Sequence, residues 1–206
     1  KEEWNNCAGL DHPFTRYEFL YALEKSKSAV ESTGWKPFHY LNINQKNEID
    51  AVCPLYIKSH SFGEYIFDHA WAEAYHRYGL EYYPKIQSAI PFTPVTGEKI
   101  LLSKKIINNN LSQKKIFKNI LSQASNMNVS SVHFNFLDKP KSIEFKKNNL
   151  MLRKGIQFHW KNNNYSTFGD FLSTLSSRKR KLIKKERMCL NDHNLKVEIL
   201  TGTQIN

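Results

Sequence analysis

The fold is decided by residues 38–59, which read FHYLNINQKNEIDAVCPLYIKS. The aromatic and apolar run at 38–43 predicts a strand, and the polar run at 44–47 predicts a turn. Residues 48–59 predict the returning strand, so the stretch is typical of a β-hairpin. Pro54 lies inside that second strand and lacks a backbone N–H, which predicts a bulge or an edge position there.

Strand and helix patterns alternate outside the hairpin. Several neighbouring strands are joined by short turns, which favours a mixed sheet over a purely parallel one. The pattern therefore predicts an α/β fold in which helices pack on a mixed β-sheet. The predicted helices are 13–27 with Thr15 as N-cap, 69–79 closed by Gly79, 112–127, 141–149, 167–175 and 177–191; the predicted strands are 65–67, 100–102, 131–137, 151–160 and 195–200; and 91–97 is a loop.

The composition excludes several classes of protein. The chain has 206 residues, of which 40% are hydrophobic and 13% aromatic, so it can bury a core and is not of the disordered class. No apolar run approaches the roughly 18 residues that a membrane span needs, and residues 1–7 lack the apolar stretch of a secretory signal. Cys7, Cys53 and Cys189 are far apart and odd in number, which argues against a disulfide framework and predicts a reducing cytoplasm.

The net charge of +11 is unevenly distributed. Residues 1–100 hold 10 Lys or Arg and 13 Asp or Glu, whereas residues 101–206 hold 20 and 6. This asymmetry predicts a basic face for an anionic partner, either a nucleic acid, an anionic lipid surface or a phosphorylated substrate. A lysine- and asparagine-rich composition without any function is the alternative explanation.

The strongest local signal is the basic stretch 176–187, SSRKRKLIKKER, with seven basic residues and one acidic residue. At about 100° per residue, Arg178, Lys181 and Lys185 share one face of a helix. Seven cations on three turns repel one another, and a diphosphate, an RNA backbone or a lipid headgroup would relieve that repulsion. A solvated basic helix without a ligand is the alternative.

A second polar group follows the hairpin, where a strand gives way to a turn. Histidine can act there as acid or base, and strand ends are common positions for sites. The alternative is an ordinary polar turn with satisfied hydrogen bonds. The residues predicted to shape a pocket are His60, Glu64, Tyr65, Asp68, His69 and Trp71, together with His159 of the aromatic segment 157–160.

Familiar catalytic and metal motifs are missing from the sequence. It has no Gly-x-Ser-x-Gly elbow, no Walker loop, no Gly-x-Gly-x-x-Gly and no His-Glu-x-x-His. Glu73-x-x-His76 occurs once, whereas di-iron bundles need two copies and further carboxylates. The sequence therefore predicts no metal site and assigns no catalytic residue.

Several segments together resemble the bacterial FemAB-like GNAT proteins, whose label is peptidoglycan biosynthesis/recognition. The resemblance runs in order along nearly the whole chain, and the long central motif is specific. The segments are 12–14 (HPF), 22–24 (ALE), 34–37 (GWKP), 54–71 (PLYIKSHSFGEYIFDHAW), 82–85 (YYPK), 91–97 (PFTPVTG), 157–160 (QFHW), 176–181 (SSRKRK) and 200–202 (LTG).

This resemblance implies a GNAT-like (acyl-CoA N-acyltransferase-like) domain over residues 1–200. That domain would be the first of a tandem pair, with residues 201–206 leading into a second GNAT-like domain. Related Fem enzymes transfer an amino acid from aminoacyl-tRNA to an amine of a peptidoglycan precursor. Aminoacyl-tRNA or acyl-CoA is therefore the implied donor of the whole protein, with no cofactor in this half.

The leading hypothesis is an acyl- or aminoacyltransferase half-domain, inactive alone, that binds a muropeptide-type precursor linked to a nucleotide or lipid diphosphate. Amide formation needs positioning and oxyanion stabilisation rather than a nucleophile, which fits the absence of one. The alternative is a non-catalytic module that recognises RNA or an acidic membrane, which makes tRNA and the inner membrane candidate partners of a cytoplasmic protein. The residues predicted to bind the anion are Lys58, Arg178, Lys179, Arg180, Lys181 and Lys185.

Overall fold

The predicted hairpin is present, and its two long strands each break in the middle. The computed structural model describes residues 1–106, 110–156, 158–192 and 198–204. Strands β1 (Trp35–Pro37) and β2 (Tyr40–Ile43) run along one side of the hairpin, and β3 (Ile49–Cys53) and β4 (Tyr56–Lys58) return along the other. β1 pairs with β4 and β2 with β3, both antiparallel.

Pro54 explains the break. Proline has no N–H for the ladder, and the next donor, the backbone N–H of Leu55, bonds to Nδ1 of His39 at 3.2 Å instead of to a carbonyl. Phe38 N still donates to Leu55 O at 2.8 Å, so the hairpin continues across the break. The predicted single return strand at 48–59 is therefore two strands, which belong to two different sheets.

One sheet has four strands in the order β1-β4-β5-β7, and the other has three in the order β2-β3-β6. Strand β5 (Lys85–Ser88) is antiparallel to β4, whereas β7 (Val132–Phe134) is parallel to β5, so this sheet is mixed. Strand β6 (Leu101–Leu102) is antiparallel to β3. The predicted α/β class with a mixed sheet is confirmed.

Helices from the part of the chain before residue 153 cover these sheets. Side chains of β3 alternate: Ala51 and Cys53 join the main core with helix α4, whereas Val52 joins a second core with Trp4 and Leu20. On the four-stranded sheet, Ile86 faces the main core. The helices are α1 (Glu2–Ala8), α2 (Tyr17–Lys25), α3 (His69–Arg77), α4 (Asn110–Ser125), α5 (Lys139–Lys147), α6 (Phe168–Ser173) and α7 (Ser177–Asp192).

The described residues form two compact units, Lys1–Leu152 and Arg153–Asn206. The first holds both sheets and helices α1 to α5. The second holds the α6–α7 pair, in which the Arg187 guanidinium lies 4.2 Å from the ring centre of Phe168. The prediction of a single domain over residues 1–200 stays a prediction.

Several expected element boundaries are wrong. Residues 65–67 form no strand, and neither do the described residues of 151–160; Gln157 lies outside the described residues. For the expected strand at 195–200, residues 195–197 also lie outside them, and 198–200 form no strand. Thr15 does not cap α2, because its hydroxyl donates to His12 O at 2.9 Å and Arg16 is the N-cap residue.

Candidate functional site

Polar side chains line one face of the four-stranded sheet. Lys58 lies opposite Lys85 in the β4–β5 register, and Gln87 is two residues further along β5. Ile57 and Ile86, the residues between them, face the main core under α4. Because side chains alternate along a strand, the lysines and Gln87 share the opposite face. Residues 59–68 cover that face from above, through the contacts described next.

The ammonium group of Lys85 is the centre of this face. It donates hydrogen bonds to Ser61 Oγ at 3.0 Å, Glu64 Oε2 at 2.9 Å and Asp68 Oδ2 at 2.7 Å. Tyr82 donates its hydroxyl to the same Asp68 oxygen at 2.7 Å. All three donors of the ammonium are thereby used, and one lysine fixes residues 61, 64 and 68 of the segment above the sheet.

Lys58 lies beside this group in different surroundings. Its Nζ is 3.6 Å from the centre of the Trp35 ring and 3.9 Å from Glu64 Oε1, and it has no hydrogen-bond acceptor among the described residues. Burial lowers the pKa of Lys58 from 10.5 to about 7, although the Glu64 carboxylate opposes the shift. The ring face and the carboxylate are its two electrostatic partners.

We call Lys58, Glu64, Asp68 and Lys85 the buried ion cluster. Their side chains are at most 1% exposed, and two cations balance two carboxylates. Burial raises the pKa of Glu64 against the effect of Lys85. Burial also acts to raise the pKa of Asp68, but the hydrogen bond from Lys85 and its other donors lower it to about 2.

Gln87 completes the cluster beneath Glu64. With its amide oriented to suit both neighbours, its nitrogen donates to Glu64 Oε2 at 2.7 Å and its oxygen accepts from Asn135 Nδ2 at 3.1 Å. The cluster is thus a buried network of charges and hydrogen bonds, in which Lys58 Nζ and Asp68 Oδ1 make no hydrogen bond among the described residues. Because solvent does not reach it, its direct role is to hold the covering segment in place rather than to contact a substrate.

The covering segment, residues 59–68, carries exposed aromatic rings between its anchored residues, and we call it the aromatic loop. Ser61, Glu64 and Asp68 point inward, whereas Phe62 and Phe67 are 70% and 77% exposed. Tyr65 is 56% exposed and has a positive φ of 56°.

Gly63 lets the aromatic loop meet the neighbouring 91–97 segment. Its φ is +75°, and a Cβ at this position would lie 2.6 Å from the Phe92 ring, so only glycine fits. Phe92 N donates to Gly63 O at 3.2 Å, and Trp35 Nε1 donates to Phe62 O at 3.2 Å. The loop is therefore held through its backbone as well as through its side chains.

The basic stretch forms helix α7 of the second unit, as predicted. Arg178, Lys179, Lys181, Lys184 and Lys185 are exposed, and within the described part of the chain no carboxylate lies within salt-bridge distance of them. Arg180 is half-buried and donates to Leu175 O at 3.1 Å, which closes the start of the helix. Among the described residues, these exposed cations of α7 thus have no counter-charge.

A family model for FemAB-like proteins, described as peptidoglycan biosynthesis/recognition, matches residues 1–206, which is the whole chain. The chain belongs to the FemAB-like family. No curated protein and no solved structure matches it. Membership of this family implies a role in peptidoglycan biosynthesis or recognition, and hence in building the cell wall. FemAB-like proteins are GNAT-like, in agreement with the mixed α/β architecture.

The site residues predicted from the sequence fall into three places. Lys58, Glu64 and Asp68 lie in the buried ion cluster, so Lys58 does not offer its ammonium to solvent. His60 is half-buried, with its ring 4.8 Å from that of Phe62, whereas Tyr65, His69 and Trp71 are exposed. His159 and α7 belong to the second unit. Their roles in binding stay predictions.

The sequence analysis did not predict five residues that hold the buried ion cluster together: Lys85, Tyr82, Ser61, Gln87 and Trp35. Lys85 was placed only within a matching segment. The signal that could have found it is its position in the strand, since Lys85 and Gln87 flank Ile86, which faces the core.

Two further properties of the FemAB-like chain concern metals and membranes. Within the ranges that the structure describes, no group of three His, Cys, Asp or Glu side chains is arranged to hold a metal ion. Among the same residues, no helix combines the length and the apolar character that crossing a membrane requires.

Proposed function

We propose that this chain is the acceptor-binding part of a FemAB-like acyl- or aminoacyltransferase. Its ligand would be an amine-bearing peptidoglycan precursor linked to a nucleotide or lipid diphosphate. The donor, an aminoacyl-tRNA or an acyl-CoA, would be used by the whole protein. The reaction class is amide formation, in which an amine attacks an activated ester and the ester's leaving group departs.

The observation that carries this proposal is the set of exposed, unpaired cations on α7. Arg178, Lys181 and Lys185 share one helical face at 100° per residue, and no carboxylate among the described residues neutralises them. Uncompensated cations at this density repel one another, and a diphosphate brings two adjacent negative groups that relieve the repulsion. Arginine adds bidentate hydrogen bonds to phosphate oxygens, which gives the charge attraction a defined geometry.

The family match supports a precursor of peptidoglycan rather than another phosphorylated compound. The absence of a nucleophile from the sequence motifs agrees with the chemistry, because a positioned amine and an oxyanion site suffice for acyl transfer. The buried ion cluster would contribute indirectly, by keeping the first unit rigid.

The test is a thermal-shift titration of the chain with a UDP-linked muropeptide, acetyl-CoA and a short RNA, each at low and moderate salt. We expect selective stabilisation by the muropeptide at moderate salt, because a specific diphosphate site keeps its directional hydrogen bonds when salt screens the charge attraction. Equal stabilisation by every polyanion that disappears with salt would contradict the proposal and favour a general anion surface for RNA or acidic lipid.

A further inference from the structure

The aromatic loop exposes three large rings although its backbone is anchored to the sheet, and its own sequence adds no exposed lysine, arginine or carboxylate. Large exposed apolar side chains are costly in water, and when they are fixed in place they usually mark a contact surface. The loop is anchored at Ser61, Glu64 and Asp68 by Lys85, and at Phe62 O by Trp35. Phe62, Tyr65 and Phe67 lie between these anchors with more than half of their surface exposed.

Fixing the loop in advance lowers the cost of binding. Ordering a side chain or a loop at an interface costs conformational entropy and so lowers affinity. A backbone that is already held by buried charges loses little further entropy on binding. Tyr65, at φ 56°, and Phe92, at φ 58°, both have backbone conformations that non-glycine residues rarely adopt. Such conformations persist where the surroundings enforce them and are concentrated at ligand sites.

The charge around the rings indicates what kind of ligand fits. Residues 59–71 and 89–95 contain no lysine or arginine, and the two carboxylates of the loop are buried in the ion cluster. A nucleotide or RNA would bring phosphate to segments that supply no cation of their own, in contrast to the cation-lined grooves of single-strand binders. A neutral ring-shaped ligand meets no such penalty.

We propose that the aromatic loop, together with Phe92, is a carbohydrate-binding surface that stacks on a neutral pyranose ring. The negative face of an aromatic ring attracts the polarised C–H groups that line one face of a pyranose, and the contact removes apolar surface from water. This inference rests on the proposed function for the choice of peptidoglycan sugars, which are N-acetylated hexosamines. The sugar would then bind to the first unit, and the diphosphate would bind to α7.

The probe is the tetramer of N-acetylglucosamine, a neutral oligosaccharide without phosphate. We expect saturation-transfer NMR to show its ring protons in contact with aromatic protons of the protein, and a titration to give a weak, salt-independent affinity. A Phe62→Ala/Phe67→Ala variant is expected to bind about threefold to tenfold more weakly for each ring removed. Tyr78→Ala, at a ring that is 84% exposed beyond the end of α3, is the matched control and should bind as the wild type does.

The loop variants should keep their thermal unfolding midpoint, because Phe62 and Phe67 are largely exposed. An α7 variant, Arg178→Gln/Lys181→Gln/Lys185→Gln, should bind the oligosaccharide normally, which separates this inference from the proposed function. The inference is overturned if the oligosaccharide does not bind, if the loop variant binds it as well as Tyr78→Ala does, or if uridine monophosphate binds the loop in its place.

Discussion

Lys85 in the first unit and Lys181 in the second are the same residue type in opposite surroundings. The Lys85 ammonium is fully buried and donates to Ser61, Glu64 and Asp68. Lys181 is exposed, and the described residues place no carboxylate beside it. A buried charge must be neutralised inside the protein, whereas an exposed one can be neutralised by a ligand.

The cations of this one chain therefore have two different roles. In the buried ion cluster, the Lys85 ammonium stabilises the fold through its ion pairs with Glu64 and Asp68, and salt weakens these pairs little because Debye screening acts weakly on buried pairs. The cations of α7 contribute little to stability and are available to an anion. Substitutions in the two regions should therefore affect different measurements.

The largest expected effect is on Lys85. Lys85→Met leaves Glu64 and Asp68 buried without their main donor, so we expect the free energy of unfolding to fall by about 3–5 kcal/mol. Chemical denaturation measures it. The matched control is Lys105→Met, which removes an exposed pair with Glu48 at 3.0 Å and should cost far less, because solvent screens exposed pairs. Equal losses in the two variants would mean that burial of the cluster does not matter.

A smaller loss is expected at Tyr82. Tyr82→Phe removes the hydroxyl that donates to Asp68 at 2.7 Å, and hydrogen bonds to charged groups contribute about 1.5–3 kcal/mol. Asp68 keeps Lys85, so the loss should be less than for Lys85→Met. Tyr78→Phe, at an exposed ring, is the control and should leave unfolding unchanged. An unchanged free energy of unfolding in Tyr82→Phe would show that Asp68 does not need the hydrogen bond from Tyr82.

The pH dependence of stability should report on Lys58. Its pKa is about 7 in the folded protein and 10.5 ordinarily, so the unfolded chain binds more protons between these values. Stability from this group is therefore complete above pH 10.5 and is lost as pH falls to about 7, at up to about 1.4 kcal/mol per pH unit.

Lys58→Met removes that dependence, so the difference in unfolding free energy between the variant and the wild type should shift in favour of the variant as pH falls from 10 to 7. Taking the difference cancels the other groups that titrate in this range, such as Cys7, whose pKa burial raises to about 11. A difference that stays constant with pH would show that Lys58 remains protonated over the whole range.

The smallest effect on stability is expected on α7. Arg178→Gln/Lys181→Gln/Lys185→Gln changes exposed positions that have no ion-pair partner among the described residues, so the free energy of unfolding should change by no more than about 0.5 kcal/mol. A gain would be explained by relief of cation repulsion. A loss of several kcal/mol would contradict the view that these cations are free for a ligand.

The sequence predicted the elements with strong periodicity and missed contacts that depend on pairing. Helix α7 and the hairpin follow from local patterns. Pro54 predicted a bulge or an edge position, whereas the structure has a break there between β3 and β4, and neither of these is an edge strand. The consequence of this break, a division into two sheets, depends on which strands pair at each side of the break. The prediction of a strand at 151–160 is wrong: the described residues there have no partner strand, and an isolated strand does not form.

The candidate site was predictable only in part. The sequence predicts Glu64 and Asp68 as pocket residues. It does not predict Lys85 as their partner, because Lys85 is about 20 residues away along the chain and lysine is ordinarily a surface residue. Only the β4–β5 register brings it beneath them. Lys58 was predicted to bind an anion, and its burial against Trp35 follows from the β1–β4 pairing, which no local pattern reveals.

The most direct test of the central claim is the affinity of a UDP-linked muropeptide for the wild type and for the Arg178→Gln/Lys181→Gln/Lys185→Gln variant, measured by calorimetry at moderate salt. If the unpaired cations of α7 hold the diphosphate, the variant should lose about tenfold or more in affinity while keeping its unfolding midpoint. Unchanged affinity in the folded variant would contradict the claim, and the diphosphate site would then have to lie elsewhere in the protein.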